Sequence, residues 1–507
     1  MVTETGSVQY PSQSAIAMLH TLSGATRLTL VAAVLLGCHA SDRREAAVTV
    51  QPNVIIVLAD QWRAQATGYA GNPNVQTPHL DALASESVMF NTAVAVLPVC
   101  APFRASLLTG QYPLTHGVFY NDKPLRNEAL TMAEIYKEAG YQTGYIGKWH
   151  LNGHARGEEF HAARNRPVPK DRRQGFDYWK VREVTHDYNN SSYFDENDEQ
   201  HTWSGYDAFA QTDSAIAYVR RAKQPFVLVL SWGSPHAPYH TAPAEYQAMY
   251  DPATIRVNPN VPEVLRDSAQ QMLAGYYAHC TALDQAMANL LAALDEEKLA
   301  ENTILVFTSD HGDMLLSQGM MKKQRPWDES LRVPMLLRYP ARLAHQKISK
   351  PINTPDILPT LLGLSNLAMP ESVEGTDLSS ALTGAEPYPQ EAALVQAPVP
   401  FHQWSFQQGG KEYRAIRTER YTYARDLTGP WLLYDDQQDP YQMNNLVNNS
   451  AHATVQGELE RMLQQKLDAV HDEFLPADEY MKQWNYRYDL EDSLRPADYY
   501  TALPNRH

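Results

Sequence analysis

PVCAPFRASLLTG, residues 98–110, has the pattern of a short helix that begins close to a cysteine. Pro102 suits the first turn of a helix, and Gly110 suits the position just after its end. Cys100 is therefore expected at the helix N-terminus, where free N–H groups and the helix dipole favour negative charge. Arg104 follows four residues later on the same face. The stretch predicts a site for an anionic ester, and a buried core cysteine is the alternative interpretation.

Four apolar runs elsewhere in the chain predict strands that are buried on both faces. They cover residues 53–59, 143–150, 225–232 and 303–309. Strands of this kind are typical of parallel sheets. We therefore expect an α/β fold that binds its ligand at the carboxyl ends of the strands.

Polar residues lie at or just after the end of each of these runs. In chain order they are Asp60, Lys148, His150, His236, Asp310 and His311. Since the carboxyl ends of parallel strands meet at one edge, these side chains are expected to line one pocket. Oxygen ligands from Asp60 and Asp310 suit a hard cation such as Ca²⁺ or Mg²⁺. The sequence contains no H-E-x-x-H motif and no Cys/His spacing typical of zinc.

Composition restricts the class of partner. The chain has 507 residues, 44% of them apolar, which is enough for one large core or two unequal domains. Three cysteines cannot form a disulfide scaffold, so the fold must depend on its apolar core. A net charge of −16 argues against a nucleic acid partner. An anionic substrate would therefore need a locally basic pocket.

The pattern of the sequence changes at about residue 376. Residues 413–423 alternate between polar and apolar types, as an antiparallel strand does, and residues 431–434 continue that pattern. Residues 458–470 then predict one amphipathic helix. We expect a main domain over residues 53–375 and a smaller α+β domain, with an aromatic-rich tail, over residues 376–507.

C-A-P-F-R, residues 100–104, matches the C-x-P-x-R motif, and its continuation L-L-T-G resembles the signature of the type I sulfatases. In that family the motif cysteine is oxidised to formylglycine, an aldehyde whose hydrate attacks sulfur. The resemblance runs in order from about residue 53 to 446. It implies an alkaline-phosphatase-like fold, with a large, mostly parallel mixed sheet between helices and a small antiparallel sheet with one helix after it.

The resemblance also implies roles for individual residues. It assigns catalysis to Cys100, Arg104, Lys148, His150, His236 and Lys323, and metal binding to Asp60, Gln61, Cys100, Asp310 and His311. Gln61 replaces a second aspartate of many members, His311 replaces an asparagine of several, and Phe103 replaces the commoner serine. His186 and Tyr188, in an aromatic insertion, are candidate substrate contacts.

The function implied by the resemblance is hydrolysis of sulfate from a sulfated carbohydrate, with one Ca²⁺ ion and with formylglycine made from Cys100 by a maturation enzyme. Two alternatives remain open at this point. The first is a phosphate or phosphonate monoester hydrolase of the same superfamily, some of which carry the same motif. The second is a catalytically silent lipoprotein that binds sulfated glycans.

The first fifty residues predict export. Arg27 precedes a short apolar segment, residues 28–36, and L-L-G-C at residues 35–38 resembles a bacterial lipobox. Cys38 is therefore a candidate lipidation site, residues 1–38 a signal peptide and residues 39–52 a tether. We expect a lipoprotein of the periplasm or cell surface that contacts the membrane only through its lipid. A secretory peptide with an incidental cysteine is the alternative.

Overall fold

The computed structural model describes residues 51–153 and 164–486. Within these ranges the strands are β1 (Asn53–Asp60), β2 (Val88–Phe90), β3 (Ala93–Val94), β4 (Gln142–Lys148), β5 (Tyr178–Arg182), β6 (Ser192–Phe194), β7 (Gln200–Thr202), β8 (Phe226–Pro235), β9 (Thr303–Ser309), β10 (Arg332–Val333), β11 (Met335–Arg338), β12 (Gln346–Ile348), β13 (Ile352–Asn353), β14 (Ala392–Ala397), β15 (Tyr413–Thr418), β16 (Tyr421–Asp426) and β17 (Gly429–Asp435). The predicted signal peptide, Cys38 and nearly all of the predicted tether lie outside the described residues.

The α-helices of the same ranges are α1 (Pro78–Ser85), α2 (Cys100–Thr109), α3 (Pro113–His116), α4 (Met132–Glu138), α5 (Asp207–Arg221), α6 (Ala244–Gln247), α7 (Arg266–Glu296), α8 (Asp328–Leu331), α9 (Ile357–Leu364), α10 (Ser379–Leu382), α11 (Ala453–Ala469) and α12 (Ala477–Gln483). None of these described helices combines the length and the apolar character needed to cross a bilayer.

The centre of the fold is a ten-stranded mixed sheet. Its strand order is β12-β2-β11-β9-β1-β8-β4-β5-β6-β7. The five neighbouring strands β9, β1, β8, β4 and β5 are all parallel. The four apolar runs predicted as buried strands are β1, β4, β8 and β9 of this parallel centre, so the α/β prediction is confirmed.

Side chains of β1 show why helices cover both faces of the sheet. Val54, Ile56 and Leu58 join one apolar cluster, which also contains residues of α2 and α9. The alternate side chains Ile55 and Val57 join a second cluster on the opposite face, with residues of α5 and α7. Because successive strand residues point to opposite faces, an uninterrupted apolar strand requires such a sandwich.

The C-terminal sheet has four antiparallel strands in the order β14-β15-β16-β17. The single strand expected over residues 413–423 is in fact a hairpin, because the chain turns after Thr418. The Thr418 hydroxyl oxygen accepts hydrogen bonds from the backbone N–H groups of Arg420 (3.2 Å) and Tyr421 (2.8 Å). Helix α11 covers the predicted amphipathic helix up to Ala469, and α10 and α12 are two further α-helices of residues 376–486 that the sequence pattern did not predict.

Candidate active site

The carboxyl ends of the central strands bring the predicted site residues together. Asp60 is the last residue of β1 and Lys148 the last of β4, while His236 and Asp310 directly follow β8 and β9. All of these side chains are buried. Lys148 forms a short ion pair with Asp60. The edge predicted from the ends of the apolar runs therefore carries a single cluster of buried polar side chains, referred to as the pocket.

Cys100 is the first residue of α2, as the sequence predicts. Its Sγ lies 3.1 Å from His311 Nε2, 3.4 Å from Lys323 Nζ and 3.9 Å from Asp60 Oδ1. Burial and the Asp60 charge act to raise the pKa of the thiol, but Lys148, Lys323 and His311 lower it well below its usual value. The position of Sγ therefore favours a negative charge.

Arg104 connects the helix to the strand ends. Its guanidinium donates to Asp310 Oδ2 at 2.9 Å, to Ser231 Oγ at 2.6 Å and to the Lys148 carbonyl at 2.9 Å. Arg104 and Asp310 are almost fully buried. Such charge-assisted bonds are stronger than neutral ones, so Arg104 fixes Asp310 relative to β4 and β8.

Lys323 lies between three of the predicted site residues. Its Nζ is 3.0 Å from His236 Nε2, 3.1 Å from Gln61 Oε1 and 3.4 Å from Cys100 Sγ. Burial and the Lys323 charge together hold the pKa of His236 well below its usual value. His236 is therefore neutral near pH 7.

Tyr188 and His186, the two candidate substrate contacts, differ in exposure. Tyr188 is fully buried, and its hydroxyl is 2.9 Å from the His236 carbonyl and 3.0 Å from that of Gly233. Its side chain therefore supports the His236 segment from below. His186 is exposed, and its ring stacks on that of His236 with the centroids 4.7 Å apart. Of the two, His186 alone presents a surface to a ligand.

His150 is buried two residues beyond Lys148, and its Nε2 lies 3.5 Å from Asp122 Oδ1. Among the described residues neither ring nitrogen has a hydrogen-bond partner. Asp122 was not predicted as a site residue, because it lies in an irregular loop with no strand end or motif to mark it.

Asp313 is a second residue that sequence reasoning did not assign to the site. Its buried carboxylate accepts from Gln61 Nε2 at 2.6 Å and from the Lys322 N–H at 2.9 Å, and it also contacts the Tyr239 hydroxyl. Because the amide nitrogen of Gln61 faces Asp313, its oxygen faces Lys323. Asp313 directly follows Asp310-His311-Gly312 in the sequence, and this adjacency could have identified it as a site residue.

Four groups can hold a metal ion. Ligand atoms of Asp60, Cys100, Asp310 and His311 all lie within 4.8 Å of one another, and every one of these residues is buried. Burial and the neighbouring Asp60 raise the pKa of Asp310. Lys148 and Arg104 already pair with the two carboxylates, and carboxylate oxygens are the preferred ligands of Ca²⁺. The donor set therefore fits a hard divalent cation.

Comparisons with known proteins agree with this geometry. A sulfatase family model matches residues 52–367, and a model of the C-terminal part of N-sulphoglucosamine sulphohydrolase matches residues 317–469. An ulvan-active sulfatase of Formosa agariphila is 48% identical over 448 residues, which cover 86% of this chain and 85% of that relative. An endo-4-O-sulfatase of Bacteroides thetaiotaomicron is 30% identical over 478 residues, covering 83% of this chain and 92% of the relative. Among solved structures, a putative sulfatase yidJ from Bacteroides fragilis has a TM-score of 0.76 at 30% identity, over 85% of this chain and 97% of that one.

Proposed function

Because the chain belongs to the sulfatase family and is a sulfate ester hydrolase, we propose that it removes sulfate from a polysaccharide or from oligosaccharides derived from one. One observation carries the chemistry: Cys100 Sγ lies within 3.9 Å of Lys323, His311 and Asp60 in a buried pocket. A nucleophile position beside the Lys323 ammonium is suited to an anionic ester. The proposal of a polymeric substrate rests on the relatives, since one is described as ulvan-active and one as an endo-4-O-sulfatase.

We propose that the active form carries formylglycine at position 100. The C-x-P-x-R motif and the position of Cys100 at the start of α2 support this. When formed, the hydrated aldehyde supplies a hydroxyl nucleophile and a second hydroxyl for the release of sulfate. Cys100 is only 1% exposed, so a maturation enzyme must reach this segment before the surrounding chain folds.

The proposed metal is one Ca²⁺ ion, bound by Asp60, Asp310 and His311 and by the amide oxygen of Gln61 beside position 100. The support is the buried donor set. Asp313 binds the amide nitrogen of Gln61, which leaves the amide oxygen, here bonded to Lys323, as the only possible ligand atom of that side chain. When bound, the ion supplies positive charge that offsets the charge of the sulfate oxygens.

The positions of the remaining site residues indicate a separate role for each of them. Lys148 and Lys323 neutralise the sulfate group, and Arg104 keeps Asp310 in place. His236 donates a proton to the leaving oxygen as the sulfur–oxygen bond breaks. An anionic sulfate beside Lys323 offsets the charge that lowers the pKa of His236, so substrate binding prepares the acid. His150 accepts a proton in the step that releases sulfate.

A direct test compares the release of sulfate and phosphate. Protein co-produced with a maturation enzyme is assayed on matched aryl esters and on defined sulfated oligosaccharides, with Cys100→Ser as control. We expect sulfate release to dominate, formylglycine to be found by mass spectrometry in the peptide containing residue 100, and the control to be folded but inactive. Faster phosphate release supports the phosphomonoesterase alternative. Glycan binding without turnover by fully modified protein supports the silent lipoprotein.

We also propose that the protein is exported and lipidated at Cys38. The support is the apolar segment before L-L-G-C, residues 35–38. Labelling of cells with a fatty acid analogue should mark the wild type and not Cys38→Ala, and Cys280→Ala is a matched control because Cys280 is buried in the core. Equal labelling of both cysteine variants would exclude Cys38 as the lipidated residue.

A further inference from the structure

Two residues in strained backbone conformations face each other beside the pocket. His150 has φ 60° and Asp122 has φ 62°, both in the left-handed region. A residue other than glycine costs about 1–3 kcal/mol in such a sparsely populated conformation, and it persists only where the surroundings hold it. His150 and Asp122 are 2% and 6% exposed. The fold thus holds the ring and the carboxylate together out of contact with bulk water.

Arg164 holds both oxygens of the Asp122 carboxylate, including Oδ1, the oxygen that faces His150. The guanidinium donates to Asp122 Oδ1 at 2.9 Å and to Oδ2 at 3.1 Å, both from Nη2. Burial acts to raise the pKa of Asp122, but His150 and Arg164 lower it well below its usual value. Asp122 is therefore a charged carboxylate at neutral pH, with one oxygen towards the His150 ring.

The backbone on both sides of His150 is fixed by Glu183, the residue that follows β5. The His150 N–H donates to the Glu183 carbonyl at 3.0 Å. Glu183 Oε1 accepts from the N–H groups of Asn152 at 2.9 Å and Gly153 at 3.1 Å. These bonds fix the main chain on either side of His150. The orientation of the imidazole ring then depends on the side chains next to its nitrogens, of which Asp122 faces Nε2.

We propose that Asp122 is a positioning residue for His150. Its carboxylate favours a proton on Nε2, the ring nitrogen that faces it, which leaves Nδ1 as the acceptor. This proposal rests on the function above, in which His150 accepts a proton. The proton comes from the second hydroxyl at the modified position 100: its O–H bond breaks, a bond to Nδ1 forms, and the O–H electron pair forms the aldehyde C=O as the bond to the departing sulfate breaks. The Nε2–H bond stays intact, and the positive charge on the ring is balanced by Asp122. Nε2 and Asp122 Oδ1 are 3.5 Å apart, longer than most hydrogen bonds, and catalytic contacts of this kind tighten when substrate binds.

The test is Asp122→Asn, which keeps the size of the side chain and tolerates the left-handed conformation. The amide lacks the negative charge that holds the proton on Nε2. We expect kcat to fall by about 10²–10⁴-fold with little change in KM, on aryl and sugar sulfates alike. In ¹⁵N-histidine-labelled protein, NMR should show an Nε2–H ring at His150 in the wild type and a different tautomer population in the variant. The signal is assigned with His150→Gln.

Asp472→Asn is the matched control. Asp472 is another buried aspartate, bound to Arg414 and to Tyr480, whose hydroxyl is 2.8 Å away. Its loss should lower stability without lowering the kcat of the folded enzyme or moving the His150 signal. An unchanged kcat or an unchanged His150 tautomer in Asp122→Asn would overturn the proposal. The NMR measurement uses protein with unmodified Cys100 and needs no turnover. It therefore tests whether Asp122 orients His150 even if the wild type releases no sulfate and the proposed function is wrong.

Discussion

At the scale of single residues, the contact between Lys323 Nζ and His236 Nε2, 3.0 Å apart, separates two roles in the same pocket. Lys323 also reaches Cys100 and Gln61, so it is placed to meet the transferred group. His236 stacks on the exposed His186 ring, so it lies on the solvent side of the pocket, through which the leaving group departs. One residue therefore acts on a group common to all substrates, and the other on a group that differs between them.

This difference predicts a substrate-dependent effect of His236→Ala. A sugar alkoxide needs a proton to leave, whereas a nitrophenolate hardly does. We expect the variant to lose about 10²–10⁴-fold more kcat/KM on a sugar sulfate than on nitrophenyl sulfate. Lys323→Ala is the control, and it should slow both substrates by similar factors because sulfate is common to them. Equal losses on both substrates for His236→Ala would transfer the role of acid to Lys148.

Most residues of the pocket could be predicted because they lie at strand ends or in a short motif. Asp122 could not, because its place beside His150 depends on a loop whose left-handed turn no local pattern marks. Tyr188 shows the opposite case. Its position in an aromatic insertion indicated a substrate contact, but the ring lies beneath the His236 segment, and sequence alone does not give the depth of a side chain.

At the scale of elements, the end of β4 depends on a glycine between strands. Gly147 has φ +101°, and a Cβ there would lie 2.0 Å from the Ser231 carbonyl oxygen of β8. That carbonyl belongs to the backbone and cannot move without the strand. Ser231 also holds Arg104 through its hydroxyl, at 2.6 Å. The close approach of β4 and β8 therefore sets the positions of Lys148 and Arg104 together.

Gly147→Ala should consequently damage both stability and activity. Gly140→Ala is the matched control, since Gly140 has φ +89° but no atom within 4 Å of the added Cβ. The control should lose about 1–2 kcal/mol of unfolding free energy from the left-handed conformation alone. Gly147→Ala should lose about 1–3 kcal/mol more from overpacking. Its kcat should fall by about 10²-fold, the effect of a displacement near 1 Å in a catalytic site. Urea titration and sulfate release measure the two effects, and similar results for both variants would contradict this account of β4.

The secondary-structure elements differed in how well they could be predicted from the sequence. The buried strands of the central sheet were predicted because long apolar runs leave few alternatives. The hairpin of β15 and β16 was missed because its turn contains Glu419 and Arg420, without the glycine, proline or asparagine that usually mark such a turn. The Thr418 side chain makes the turn through hydrogen bonds that become visible only in the folded chain.

At the scale of the whole molecule, the buried donor set links metal binding to stability. A ligand that binds only the folded state stabilises it by about 2.7 kcal/mol at a concentration of about 100 times its Kd. We expect Ca²⁺ to raise the Tm of the protein, and a chelator to reverse the increase. Asp310→Asn should abolish the shift caused by Ca²⁺. Asp195→Asn should retain it, because the partly exposed group of Asp195, Glu199 and His201 lies outside the proposed site. A shift of equal size in Asp310→Asn would place the ion elsewhere.

The net charge of −16 predicts how the protein meets a polymeric substrate. Residues 1–38 contain one glutamate and one arginine, so removal of the predicted signal peptide leaves this charge unchanged. A long sulfated chain is repelled by the surface as a whole, whereas a small aryl sulfate mainly feels the cations of the pocket. The Debye length falls from about 30 Å at 0.01 M salt to about 8 Å at 0.15 M, so salt screens the long-range repulsion before it screens the pocket.

Raising NaCl from 0.01 to 0.15 M at fixed Ca²⁺ should therefore increase kcat/KM on a sulfated polysaccharide, on the order of 10-fold. Nitrophenyl sulfate, measured in the same buffers, should change far less. The gain on the polymer should lie in KM, because salt alters the encounter and not the reaction at sulfur. Oligosaccharides of increasing length should show an increasing salt effect, since each added sulfate meets the same repulsion. If kcat/KM on the polymer instead falls with salt, positive charge around the pocket entrance outweighs the charge of the whole molecule, and the polymer is attracted from a distance.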